Sequence, residues 1–233
     1  MLERIDLRLA AGETCAIVGP SGIGKSTLLA IAAGLDRRYE GAVTGRPARV
    51  SVAFQSARLL PWRTAAANIE IASRCSRRDA VRWLDQVGLA DAADVYPQRL
   101  SVGMAQRVNL ARTLASEGGL LLLDEPFSAL DAAAAAEMRG LVATEIARRG
   151  CLTLLVTHDQ RDVDVLSTRT IRLGGAPATI MADEPTRSDA LNNRRMNDVA
   201  SLVGDRMGIV HVAGDARVGS AAGGDRGRLS RRK

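Results

Sequence analysis

Nine residues constrain this chain more than any others: Gly19-Pro20-Ser21-Gly22-Ile23-Gly24-Lys25-Ser26-Thr27. They follow a short apolar run within 12–18. They open a helical pattern that runs from Lys25 to Ala33 and closes at Gly34. A glycine-spaced loop between strand and helix, ending Gly-Lys-Ser, is the sequence form of a P-loop. Its glycines let backbone N–H groups turn inward as an anion cradle. The helix behind it adds the positive end of its dipole. Lysine occurs twice, as Lys25 and as the last residue, Lys233; every other basic side chain apart from histidine is an arginine. A slender ammonium reaches the β- and γ-phosphates of a nucleotide from such a loop, where a planar guanidinium fits poorly. Ser26 is placed to offer its hydroxyl to Mg2+. A chance glycine-rich turn would need neither the strand before it nor the helix after it.

Further strands are expected at 49–54, 120–123, 152–157 and 170–173, and helices over most of 64–90, over 101–115 and over 132–149. Val81, Leu84 and Val87 fall at helical spacing. The unbroken run at 120–123 fits a strand covered on both faces of a parallel sheet. Strands alternating with helices predict an α/β fold with a parallel-rich sheet. The strand-poor stretch 57–115 predicts a helical insert within one domain over 1–184. Beyond it the pattern fades into Gly, Arg, Asp and Asn. Residues 185–233 are expected to form a basic, disordered tail, with 207–212 a candidate short strand.

Ten Arg/Lys and five Asp/Glu place +5 of the chain's +6 charge in that tail, leaving +1 for residues 1–184. A nearly neutral folded part argues against a nucleic-acid-binding face. A solvated tail is expected, with contact to anionic lipid the competing reading. No apolar run approaches the roughly 18 residues that span a bilayer. The first residues alternate charge and apolar character, unlike a signal peptide. Three scattered cysteines, Cys15, Cys75 and Cys151, lack metal-ligand spacing and fit a reducing compartment.

A second constellation follows the apolar run: Leu123-Asp124-Glu125-Pro126. A hydrophobic strand ending in Asp is a Walker B arrangement. It sets Asp124 at the carboxyl edge of the sheet, where it can support Mg2+ beside Ser26. Glu125 can polarise a water for attack on a γ-phosphate.

The third element is Leu100-Ser101-Val102-Gly103-Met104-Ala105-Gln106-Arg107-Val108. It resembles the signature motif of ABC ATPases. Around it lie Gln55 after a strand, Ser128-Ala129-Leu130-Asp131 and Thr157-His158-Asp159, which resemble the Q-, D- and H-loops of that family. The resemblance covers residues 1 to about 181. It implies a P-loop NTPase core with a helical signature subdomain, ATP and Mg2+ as ligands, and transport-coupled ATP hydrolysis. It also implies a head-to-tail dimer in which the P-loop of one subunit faces the signature helix of the other. Gly19 to Thr27 would then hold phosphate. Ser101 and the Gly103 backbone would reach the partner's ATP, and Asp131 would lie at that nucleotide interface. Ser26, Gln55 and Asp124 would serve the metal. Glu125, His158 and Gln55 would serve the attacking water, with His158 also touching the γ-phosphate. One of only two histidines, His158 sits at a strand end, where a merely structural imidazole is the competing reading.

Two departures from the family pattern stand out. Val102 replaces the first glycine of the signature pair, which is harmless if that position is already helical and damaging if it needs φ > 0. The family carries an aromatic residue upstream of the P-loop that stacks on adenine. None lies among the 18 residues before Gly19, so the first strand and its loop are expected to be truncated.

The segment Phe54-Gln55-Ser56-Ala57-Arg58-Leu59-Leu60-Pro61-Trp62 resembles the Q-loop region of importer ATPases for nitrate, sulfonates and taurine. That resemblance implies a peripheral place at the cytoplasmic face of the cell membrane and three partners: a second copy of the subunit, transmembrane permease subunits, and a periplasmic or extracellular solute-binding protein. Leu59, Leu60 and Trp62 would anchor a permease helix, unless Trp62 packs in the core. Two other readings compete: a soluble ABC-type ATPase acting on nucleic acid, and a degenerate subunit without function.

Overall fold

The computed structural model describes residues 2–186 and 210–213. Its centre is a six-stranded sheet in the order β4-β5-β6-β2-β7-β8. These strands are Val50–Ala53, Leu120–Asp124, Leu152–Val156, Thr14–Val18, Arg169–Gly174 and Thr179–Pro185. The first five run parallel; β8 returns antiparallel beside β7. The α/β fold and parallel-rich sheet expected from the sequence are what the chain adopts.

The apolar run at 120–123 is divided between two cores. Leu120 and Leu122 join a cluster with Ile17, Leu28, Leu154 and Ile171. Leu121 and Leu123 join another with Ile69, Leu84, Leu110, Val142 and Leu155. Side chains alternate across a strand, so a strand buried on both faces reads as unbroken leucine. Each such side chain contributes about 1.5–3 kcal/mol on burial.

Helices form where local signals agree. The first, α1 (Lys25–Ala33), ends at Gly34 with φ 75°. The helical insert holds α2 (Ala65–Ser73), α3 (Arg77–Gln86) and α4 (Val102–Ala115), capped by the hydroxyls of Thr64, Ser76 and Ser101. Asp131 caps α5 (Ala132–Arg149), which stops at Gly150. A short α6 spans Gln160–Leu166.

A second, three-stranded sheet was not anticipated in this form. β1 (Leu7–Leu9) and β3 (Ala42–Thr44) each pair antiparallel with β9 (Val210–Ala213), which lies between them. The expected short strand near 207–212 therefore begins at Val210. It takes the central place in that sheet, between β1 and β3. Ordered structure also passes the expected boundary at 184: Thr186 N–H donates to Thr168 O at 3.0 Å. The expectation of disorder over the rest of 185–233 falls outside the described residues.

Candidate active site

Parallel strands that stop in register bring their following residues to one edge. Ala53 lies opposite Leu123, Asp124 opposite Val156, and Val156 opposite Ile17. Gln55, Asp124 with Glu125, His158, and the loop from Gly19 therefore line one end of the sheet, contributed by four adjacent strands.

The loop itself is closed by Lys25. Its Nζ donates to Gly19 O at 2.8 Å and Pro20 O at 3.0 Å. At Gly19 the chain passes so near strand β7 that an added methyl would sit 2.7 Å from Leu173 O. Gly24 has φ 112°, and an added methyl would lie 2.8 Å from Leu2 Cδ2. No other residue type fits these two positions without strain. Pro20, Ser21 and Gly22 are exposed along the rim, while Ile23 leans on the core. Ser26 and Thr27 open α1 just behind Lys25.

Ser26 Oγ donates to Asp124 Oδ1 at 3.2 Å. Burial pushes the Asp124 carboxyl above its ordinary range, and the Ser26 hydroxyl and Lys25 charge partly offset this. A buried carboxylate beside a hydroxyl is a pair of hard oxygen donors, suited to Mg2+ that takes its remaining ligands from phosphates and water. Among the described residues no group of three or more His, Cys, Asp or Glu side chains could hold a metal alone. The donor set thus fits an ion that arrives with a nucleotide. Gln55 is exposed after β4, where it can join the same ion.

Glu125 turns away from the strand with φ 47°, a left-handed conformation rare for a side-chain-bearing residue. The turn is held from several sides. Glu125 N–H donates to Val156 O at 2.9 Å. Ser128 Oγ donates to Glu125 O at 3.0 Å, and Gln106 Nε2 to Pro126 O at 3.1 Å. The resulting aim puts Glu125 Oε2 2.7 Å from His158 Nδ1. That hydrogen bond and the carboxylate's charge raise the imidazole pKa.

Ser101 and Gly103 begin α4, the last helix of the insert. Ser101 is exposed, and its hydroxyl accepts from Met104 N–H at 3.1 Å, capping its own helix. Gly103 lies against the Ala129 and Leu130 loop. Asp131 is likewise engaged as a cap, accepting from Ala134 N–H at 2.9 Å. Val102 is the first residue of α4 with no positive φ and is 75% exposed, so valine is tolerated there.

Sequence reasoning overlooked the residues that hold the Gln55 loop. Arg112 donates to Ala57 O at 2.8 Å and Arg58 O at 3.0 Å, and Asn109 to Phe54 O at 3.1 Å. Asn68, fully buried, accepts from Leu60 N–H at 2.7 Å and donates to Leu60, Arg63 and Thr64 carbonyls. Their signal was polar residues on otherwise buried helix faces. The loop that Asn68 fixes presents Trp62 at 67% exposure, so that side chain is not core. Leu59 instead packs inward.

A P-loop, a strand-end Asp-Glu pair and a facing histidine on a parallel sheet define an ATP-hydrolysing P-loop enzyme. A family model for ABC transporters matches residues 2–128. The chain is 43% identical over 197 residues to the aliphatic sulfonates import ATP-binding protein SsuB 1 of Pseudomonas syringae pv. syringae, covering 84% of this chain and 83% of that one. It is 41% identical over 218 residues to SsuB 2 of Paracoccus denitrificans, covering 91% and 88%. Among solved structures it resembles the dimeric, ADP- and Pi-bound ATP-binding cassette MJ0796. There the TM-score is 0.71 at 27% identity, covering 80% of this chain and 90% of that one. The chain belongs to the ABC transporter family, as one of its ATP-hydrolysing cassettes.

Proposed function

We propose that this chain is the ATPase subunit of an importer for a small anionic solute, with aliphatic sulfonates the favoured class. The strongest support is the arrangement at the sheet edge, with Glu125 Oε2 2.7 Å from His158 Nδ1 beside the Lys25 loop. Sulfonates are favoured by the names of the relatives that cover most of the chain.

In this reading Gly19 to Thr27 cradle the phosphates, and Lys25 leaves its two carbonyl partners for the β- and γ-oxygens. Mg2+, when bound, neutralises phosphate charge; Ser26, Asp124 and Gln55 are the residues that would hold it. Glu125 orients a water and accepts its proton as oxygen attacks the γ-phosphorus. The bond to the bridging oxygen breaks, giving ADP and phosphate. His158 keeps the Glu125 carboxylate in line and contacts the γ-phosphate.

Ser101 and Gly103 sit at an exposed helix N-terminus, turned to no nucleotide of their own. They complete the site of a second copy in a head-to-tail dimer, with Asp131 beside that interface. Exposed Trp62 fits a permease helix groove at the cytoplasmic face of the membrane. A solute-binding protein would deliver cargo on the other side.

Glu125→Gln tests this reading. The variant should bind Mg-ATP, fail to hydrolyse it and sediment as a dimer. A monomer with bound Mg-ATP would overturn the shared-site arrangement.

A further inference from the structure

His158 has little around its ring to hold it. Its side chain is 72% exposed. Among the described residues, the hydrogen bond of the ring is the one to Glu125. The direction of the imidazole is therefore set by the backbone from 157 to 159.

That backbone is tied from beneath. Thr157 is fully buried; its Oγ1 donates to Asp162 Oδ2 at 2.6 Å and accepts from Asp159 N–H at 3.0 Å. One hydroxyl thus grips the chain on both sides of His158. The other Asp162 oxygen accepts from Arg139 Nε at 2.6 Å, and both of these side chains are buried. Arg139 reaches across from α5, and its guanidinium lies 5.6 Å from the centre of the Phe127 ring, two residues beyond Glu125. The chain of contacts therefore touches both polypeptide segments that carry the facing pair. Buried polar groups linked in this way are rigid because each one lost leaves another unpaired.

We infer that Thr157, Asp162 and Arg139 are positioning residues that hold His158 against Glu125. The inference rests on the hydrolytic role proposed above for that pair. None of the three touches nucleotide in this arrangement; they act through His158 alone.

Thr157→Val is the sharpest probe. It keeps the shape, removes both bonds of the hydroxyl and leaves the Arg139–Asp162 pair in place. The chain has two histidines, His158 and His211, so a ring-proton NMR titration of the full protein resolves His158. In Thr157→Val the His158 pKa should fall toward the ordinary value of about 6.5. The kcat for Mg-ATP should drop about tenfold or more, with KM within about twofold. Thr157→Ser should restore both readings. Adding Thr157→Val to His158→Ala should cost nothing further, since the hydroxyl acts through the imidazole.

An unchanged titration and kcat in Thr157→Val would overturn the inference, as would losses that multiply in the double variant. If His158→Ala retains full kcat, the hydrolytic reading of the pair fails, and the positioning role with it.

Discussion

Glu125 Oε2 lies 2.7 Å from His158 Nδ1, and the two residues follow the ends of neighbouring parallel strands, β5 and β6. The Glu125 backbone is fixed in a left-handed turn between Val156 and Ser128, and its carboxylate is bonded to His158. The imidazole faces it from the solvent side, so the contact depends on the charge of both groups.

Acidity follows from that dependence. The Glu125 hydrogen bond raises the folded His158 pKa above its ordinary value. A raised folded pKa means that the contact stabilises fully below about pH 6.5, and that this stabilisation is lost as pH rises through the folded value. Exposure of the ring keeps the effect small. The thermal midpoint of the wild-type protein should exceed that of His158→Ala near pH 6, and the difference should shrink as pH rises through the raised folded pKa. A constant difference across that range would show that the contact does not need the imidazolium.

Lys25 gives a separable effect on nucleotide binding. Its ammonium is held by Gly19 O and Pro20 O, which are replaceable by phosphate oxygens. Charge-assisted bonds of this kind contribute about 1.5–3 kcal/mol. Lys25→Ala should therefore weaken ATP binding by about ten- to a hundredfold, read by titration calorimetry. The urea midpoint should fall by less than the loss in ATP binding, because both lost bonds lie within the loop and none ties it to the rest of the fold.

How far the sequence carries can be judged residue by residue. Helix α5 is legible to both ends because Asp131 and Gly150 are local stop signals. The P-loop is equally local. β5 is legible because two cores write alternate leucines. Trp62 could not be placed, since its exposure depends on Asn68 bonding back to Leu60 and Thr64. Arg139 and Asp162 lie 23 residues apart on two different helices, and no periodicity announces their pairing. β1 and β3 have three residues each and pair with a strand from the far end of the chain. Such pairing leaves no pattern in a short window.

Val102 allows a direct check on the altered signature. It occupies the first turn of α4 without left-handed backbone. Glycine, the usual family residue, gains nothing there and costs a few tenths of a kcal/mol of helix propensity relative to valine, about 0.2–0.5 kcal/mol. Val102→Gly should lower stability by that amount in urea unfolding and leave ATP affinity of the monomer unchanged. A stabilised variant would mean that valine strains the helix start.

The three-stranded sheet makes the last prediction, because it joins the two ends of the chain to the nucleotide loop. Val212 stands opposite Leu7 on one side and Val43 on the other. Among the described residues, neither β1 nor β3 has another partner in that sheet. Proline at 212 would lack the N–H of a central strand and should break the pairing. Amide exchange should then accelerate at Leu7–Leu9 and Ala42–Thr44, while β2, β5 and β6 keep their protection. The effect should reach the site. Leu2, Ile5, Leu7 and Leu9 share a core with Leu28 of α1, and Leu2 packs under Gly24. Loosening β1 removes support from the P-loop floor, so Val212→Pro should also weaken ATP binding by a few-fold, on the order of 1 kcal/mol. Unchanged exchange in β1 and β3 would show that β9 does not hold them together in solution. Changed exchange with unchanged ATP affinity would confine its role to the sheet.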